Sequence, residues 1–375
     1  MRETMNTDTP LKVLVVDDTV VYRKIVSDIL EEIPDVQVVG SAHNGKAAML
    51  KVAALKPDLL ILDIEMPEMT GIEVLEQLQA TGADVGAIML STLTQEGGAV
   101  TMQALERGAF DFIPKPQSGT MTDNRSAVKN ALIPMLKAYI RQRAVRKLLK
   151  RRAGQMAKPA LAAKPDRFEQ KRPAARIGTA GGPADIISIA ISTGGPKALA
   201  AMLPALPADI GVPILIVQHM PPMFTRSLAE SLDRKCAIKV KEAESGEPIQ
   251  PGTAYIAPGG RQMKVAAGSD GLARMIKIND DPPENNCRPS ADYLFRSVAT
   301  HYLGRTVAVV MTGMGSDGAA GAGLLKRNGA VVVAQDAASC VVYGMPKAVI
   351  DAGIADTVVP LDAIAHKIVK CVKKK

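Results

Sequence analysis

Asp17 and Asp18 close the apolar run LKVLVVDD, Asp63 closes LLILD, Ser91 and Thr92 close AIMLST, and Lys115 follows AFDFIP. Three carboxylates gathered at one place repel one another unless a hard cation neutralises them, and Mg2+ with some retained water suits two or three such oxygens. In that setting Asp63 is the plausible phosphoryl acceptor. The cation and Lys115 offset the incoming charge, and the Ser91 hydroxyl reaches the phosphoryl oxygens. Any one of these aspartates taken singly reads equally well as a helix cap.

A second group lies further along. Ser192 ends SIAIS and is followed by TGGP, a glycine-tight turn leading into a helix with Pro196 in its first turn. Backbone N–H groups and the positive helix end there suit a nucleophile that must hold negative charge nearby. Strand, glycines and helix also describe a phosphate cradle, but neither GxGxxG nor GxxxxGK[ST] is present, and the GxSxG elbow is absent too. The four histidines can be searched in full. His43 falls in the first half of the chain, His301 near a helix end and His366 in the last amphipathic helix. His219 alone follows a buried-type strand, ILIVQ, although on its own it is as readily a structural histidine. Asp317 lies in MTGMGSDGAAG directly after TVAVV. Ser192, His219 and Asp317 therefore all fall at strand ends. The chemistry they offer is acyl transfer: His219 takes the Ser192 proton, Asp317 holds the imidazole, and an acyl-enzyme is hydrolysed.

The elements that position these residues alternate. Up to Lys115, strand-like runs alternate with amphipathic helical ones, which predicts five βα units with a parallel sheet covered on both faces. The fifth helix starts near Asn124 and runs on through AYIRQRAVRKLLKRR. AGQMAKPALAAKPDRFEQKRPAARIGTAGGP then reads as a flexible linker. Alternation resumes at ADIISIAISTGGP, is interrupted between Ile238 and Ile278 by short hairpin-like strands, and ends with DAIAHKIVKCVKK. The predicted organisation is residues 11–140, a basic helix extension and linker 141–183, and a doubly wound, mostly parallel α/β domain with a β-hairpin insertion over 184–375. Carboxyl ends of parallel strands form one edge, where ligands bind.

With 47% apolar and 22% charged residues the chain has a globular composition. The formal charge of +8 suggests nucleic acid, but a local surplus of +11 sits between Arg141 and Arg176 and leaves the remainder slightly acidic. Aromatics are 3% with no tryptophan, so little is available to stack on bases. No nucleic-acid partner is expected. Neither a signal-like start nor a bilayer-length apolar run is seen, which predicts a cytoplasmic protein without membrane insertion. Cys236, Cys287, Cys340 and Cys371 lack CxxC spacing and read as reduced structural thiols.

Residues 11 to 140 resemble a two-component receiver domain: Asp63 matches the phosphoacceptor, Asp17 and Asp18 the acidic pair, Ser91 the hydroxyl switch, Phe112 the aromatic switch and Lys115 the lysine. That resemblance implies a flavodoxin-like sheet of order 2-1-3-4-5. Residues 185 to 370 resemble the catalytic domain of the chemotaxis protein-glutamate methylesterases, the CheB family, through STGGP, IVQHMPPMFT, YIAPGG, CRPSADYLFRSVA, MTGMGSDGAAG and AQDAASCVVYGMP. The match implies triad roles for Ser192, His219 and Asp317 and an oxyanion donor in the Met314 backbone N–H. It also implies glutamyl methyl esters of chemoreceptors as substrate, methanol as product, deamidation of receptor glutamines, and no cofactor for the esterase. A receiver that covers the active-site edge until a chemotaxis histidine kinase phosphorylates it belongs to the same set of implications. Two departures stand beside the match: Ile191 precedes the serine where Ala is more usual, and Arg261-Gln262 follow APGG where a His is common.

Two other readings compete. One is a receiver-controlled acyl hydrolase of other esters. The other is a response regulator with a non-catalytic nucleic-acid-binding module, for which no helix-turn-helix is evident after Asp185.

Overall fold

The computed structural model describes residues 10–116, 119–155, 182–269, 271 and 273–373. Most of the stretch read as a flexible linker lies outside the described residues.

The first half alternates strand and helix: β1 Leu11–Val16, α1 Val20–Glu31, β2 Val36–Ala42, α2 Gly45–Leu55, β3 Leu59–Asp63, α3 Gly71–Ala80, β4 Gly86–Thr92, α4 Gln95–Glu106, β5 Asp111–Lys115 and α5 Met121–Gln155. β3 is buried at every position and β1 at all but one, as a sheet covered on both faces requires. The strands pair in parallel in the order β2-β1-β3-β4-β5, as the receiver resemblance implied. Local signals start the helices: Asn44 caps α2 through Ala47 N, and Thr70 with Glu73 forms a reciprocal capping box at α3.

The second half comprises β6 Ile186–Ile191, α6 Gly195–Met202, β7 Ile214–Gln218, α7 Phe224–Asp233, β8 Lys239–Glu242, β9 Thr253–Ile256, β10 Gln262–Ala267, β11 Arg274–Asn279, α8 Ala291–Tyr302, β12 Thr306–Val310, α9 Ala319–Arg327, β13 Val331–Gln335, α10 Met345–Asp351, β14 Thr357–Val359 and α11 Leu361–Val372. Seven of these strands form one parallel sheet, β14-β13-β12-β6-β7-β9-β8. The hairpin insertion is β10–β11, paired antiparallel from Gln262↔Asn279 to Ala267↔Arg274. The neighbouring strands β8 and β9, expected as hairpins too, instead pair in parallel at the sheet edge. The difference follows from burial: TAYI of β9 is buried throughout and needs a neighbour on each side, whereas the charged KVKE of β8 suits an edge.

The two halves touch. α4 and β5 pack on α6 and α7, so that Met102, Leu105 and Phe112 share one apolar cluster with Ala198, Phe224 and Leu228. The Phe112 and Phe224 rings lie 4.5 Å apart, tilted by 37°. Around this contact Glu106 accepts from Ser231 Oγ at 2.7 Å and pairs with Lys235 Nζ at 2.5 Å.

Candidate active site

The candidate phosphoryl-handling residues converge. Lys115 Nζ lies 2.7 Å from both Asp17 Oδ2 and Asp63 Oδ2, and 4.9 Å from the centroid of the Tyr22 ring. Asp17 and Asp63 are buried while Asp18 is exposed. Burial pushes Asp63 up to about 6 against the opposing pull of Lys115. Carboxylate oxygens of Asp17, Asp18 and Asp63 lie within 4.8 Å of one another, a donor set that fits a hard divalent cation. Ser91 Oγ is turned toward α4, 2.6 Å from Thr101 Oγ1. Phe112 is buried against Phe224, at the contact between the halves.

In the second half, β6, β7 and β12 are adjacent, and their carboxyl ends deliver the three acyl-transfer candidates to one edge. Ser192 leaves β6, and its N–H donates to Thr312 O at 2.9 Å. The chain then turns through Gly194, whose φ of 74° is open to glycine and costly for other residues. His219 follows β7, where Ile191 pairs with Gln218, so the serine and histidine backbones leave neighbouring strand ends. Gln218 Nε2 reinforces this by donating to Ser192 O at 3.0 Å.

His219 Nε2 is 2.8 Å from Asp317 Oδ2. Asp317 itself is the acceptor for a full set of donors: Ser290 Oγ at 2.7 Å, Ala291 N at 2.6 Å, Asp292 N at 3.2 Å and Asn285 Nδ2 at 3.0 Å. Two of those are backbone N–H groups at the start of α8, where the helix dipole favours an anion. Burial opposes the charge, but His219 and these donors outweigh it and hold Asp317 well below the usual carboxylate range. Burial likewise works against an imidazolium, yet Asp317 and Cys287 raise His219 to about 9.

The other imidazole nitrogen, Nδ1, faces Cys287 Sγ at 3.7 Å. No hydrogen bond joins Ser192 Oγ to His219 among the described residues. The structure thus forms the His219–Asp317 half of the expected relay and sets the serine beside it unjoined; catalytic hydrogen bonds of this kind often close only with substrate present. The Met314 N–H has no hydrogen-bond acceptor among the described residues, which leaves it available to an oxyanion. Gly313, just before it, is fitted tightly: a Cβ there would stand 2.7 Å from Ser192 Cβ.

Several residues at this edge were not singled out from sequence. Asn285, Ser290 and Cys287 adjoin or belong to the quoted CRPSAD motif, but no periodicity marks them as partners of Asp317 and His219. Ser290 carried the one readable signal, since it caps α8 and the pattern of serine followed by an acidic first turn is an N-terminal signature. Asp111, on β5, accepts from Phe112 N–H at 2.9 Å and lies close to the Thr193–Gly194 turn that follows Ser192, and burial pushes it up to about 7. Its role depends on docking between halves, which no local pattern encodes. Arg261 pairs with Asp280 at 3.0 Å, whereas Gln262 is buried and its Oε1 accepts from Ser290 N at 2.9 Å. Ile191 is fully buried in β6.

A receiver sheet docked by its α4–β5 side on a parallel α/β domain with a His–Asp pair at the strand ends defines a response regulator with an attached α/β effector domain. The comparisons agree on both parts. Residues 187–368 match the family model described as CheB methylesterase, and residues 13–124 match the response regulator receiver domain. A protein-glutamate methylesterase/protein-glutamine glutaminase of Desulfotalea psychrophila is 56% identical over 97% of this chain and 99% of its own length. A relative of the same name from Nocardioides sp. is 45% identical over 96% of this chain and 95% of its own. Among solved structures, the Thermotoga maritima CheB methylesterase catalytic domain is 43% identical, covering 50% of this chain and 98% of that one, with a TM-score of 0.48. The chain belongs to the CheB methylesterase family.

Proposed function

We propose that this protein is a phosphorylation-activated methylesterase that hydrolyses glutamyl methyl esters on chemoreceptors, releases methanol, and deamidates receptor glutamines by the same acyl chemistry. The observation that carries this reading is the His219–Asp317 pair at 2.8 Å, set at the strand end next to Ser192 in a chain of this family. Ser192 Oγ attacks the ester carbonyl as His219 accepts its proton, and Asp317 stabilises the imidazolium that forms. The Met314 N–H donates to the tetrahedral oxyanion. His219 then returns the proton to the departing methoxide and activates the water that cleaves the acyl-enzyme. For an amide the same proton goes to ammonia, so glutamine is accessible to the same groups.

Control comes from the receiver. Asp17, Asp18 and Asp63 would hold Mg2+, which neutralises charge during phosphorylation when bound. Asp63 accepts the phosphoryl group, supplied by a chemotaxis histidine kinase. Lys115 pairs with the product, and the Ser91 hydroxyl leaves Thr101 to meet it. Because Phe112 and α4 lie in the contact with α7, rearrangement at Ser91 loosens the cover over the Ser192 turn. The absence of a bilayer-spanning helix among the described residues fits a cytoplasmic enzyme acting on the inner part of its receptor.

Methanol release from methylated receptor membranes, with and without a small-molecule phosphodonor, tests both parts. Ser192→Ala should lose release while Asp63 is still phosphorylated; retained release refutes the relay. Asp63→Asn should hold the basal rate and ignore the phosphodonor, and normal stimulation of that variant refutes the switch.

A further inference from the structure

Glu284 and Cys287 exchange backbone hydrogen bonds of 3.1 and 2.7 Å across Asn285 and Asn286. Both central residues are left-handed, with φ of 52° and 59°, which defines a two-residue turn of the kind asparagine tolerates better than most residues. The turn aims one side chain inward. Asn285 Nδ2 donates to Asp292 Oδ2 at 2.9 Å and to Asp317 Oδ1 at 3.0 Å, so a single neutral amide spends both its protons on two carboxylates. Cys287, at the end of the same turn, stands against the far nitrogen of the imidazole.

We propose that Asn285 is a positioning residue for proton transfer: its amide separates Asp292 from Asp317 and thereby sets the pH at which His219 becomes free to act as a base. This rests on the relay reading given above. The groups facing the imidazole are Asp317 and Cys287; behind Asp317 stands Asp292, and Asp292 faces Arg296, which is itself paired with Glu284. Each hydrogen bond donated to Asp317 draws negative potential away from His219. With the amide gone, Asp317 loses one donor and Asp292 loses its screen, and both carboxylates favour the imidazolium more strongly. His219 then keeps its proton to higher pH. Burial raises the proton affinity of Asp292, and the charge of Asp317 adds a smaller push in the same direction.

The test is the pH profile of kcat/KM for methanol release by the full-length, phosphodonor-treated enzyme. Asn285→Gly keeps the left-handed turn open and removes the side chain with its amide; its acid limb should move up by about one pH unit, the worth of one hydrogen bond to a charged group. Asn285→Asp should move it further, and Asp292→Asn should move it down. A turn serving shape alone would lower kcat and leave the limb in place, and that result in Asn285→Gly overturns the proposal, as does a downward shift. Should Asn285→Gly be too slow to profile, titration of the His219 ring by NMR gives the same reading, upward for the proposal and unmoved against it. Asp292→Asn is an independent arm in which an unchanged or raised limb also counts against it. Ser192→Ala, assayed alongside, separates the two claims: if it stays active the relay itself is wrong, and if it is inactive with unmoved Asn285 limbs only the role of Asn285 falls.

Discussion

His219 combines a half-buried ring, an ionised partner at 2.8 Å and a thiol on its other edge, and on the proposed relay it must be neutral to accept the Ser192 proton. Its proton affinity is raised above the ordinary value of 6.5, so the active form is gained as pH climbs through the raised value. The expected outcome is an acid limb of kcat/KM lying above pH 6.5, checked by the pH dependence of methanol release. Asp317→Asn should cut kcat by about 10^4-fold, because the amide cannot hold the tautomer that the carboxylate enforces. The candidate residues were legible in the sequence because each follows an apolar strand, and strand ends of a parallel sheet meet at one edge. What the sequence did not disclose is the company of Asp317. Ser290, Asn285 and the first N–H groups of α8 reach it across 25 to 32 positions of chain, a separation that leaves no periodic trace.

At the scale of elements, alternation of strand and helix made both sheets legible, whereas the pairing of β8 with β9 was not. Short runs rich in Gly and Pro read as hairpins whatever sheet they join, and only the burial of β9 on the main sheet decides between the two. The loops after β6 and β12 are held so closely that their glycines act as spacers. Gly313→Ala would drive a methyl group into Ser192 Cβ and displace the nucleophile; a shift of about 1 Å is worth roughly 100-fold in rate. The expected result is a kcat lower by that order with Asp63 phosphorylation unaffected, measured as methanol release and as phosphoryl uptake on the same preparation.

For the molecule as a whole, the contact between halves joins an apolar cluster to a few polar pairs. The exposed Glu106–Lys235 pair is worth about 0.2–1 kcal/mol and the hydrogen bond from buried Ser231 about as much again, so Glu106→Ala should raise the unphosphorylated rate on the order of ten-fold. Asp111 matters in another way. Burial raises its proton affinity against the opposing pull of the Thr193–Gly194 turn, which puts a titratable group at the contact between the halves. The landing place of Asp111 is the turn that, on the proposed function, a methylated receptor must also reach. Receiver and receptor would then be rivals for one stretch of backbone, and mass action would let dense arrays of substrate pry the enzyme open without any phosphoryl signal. Resting turnover would accordingly scale with local receptor density, giving adaptation a floor that the kinase does not control.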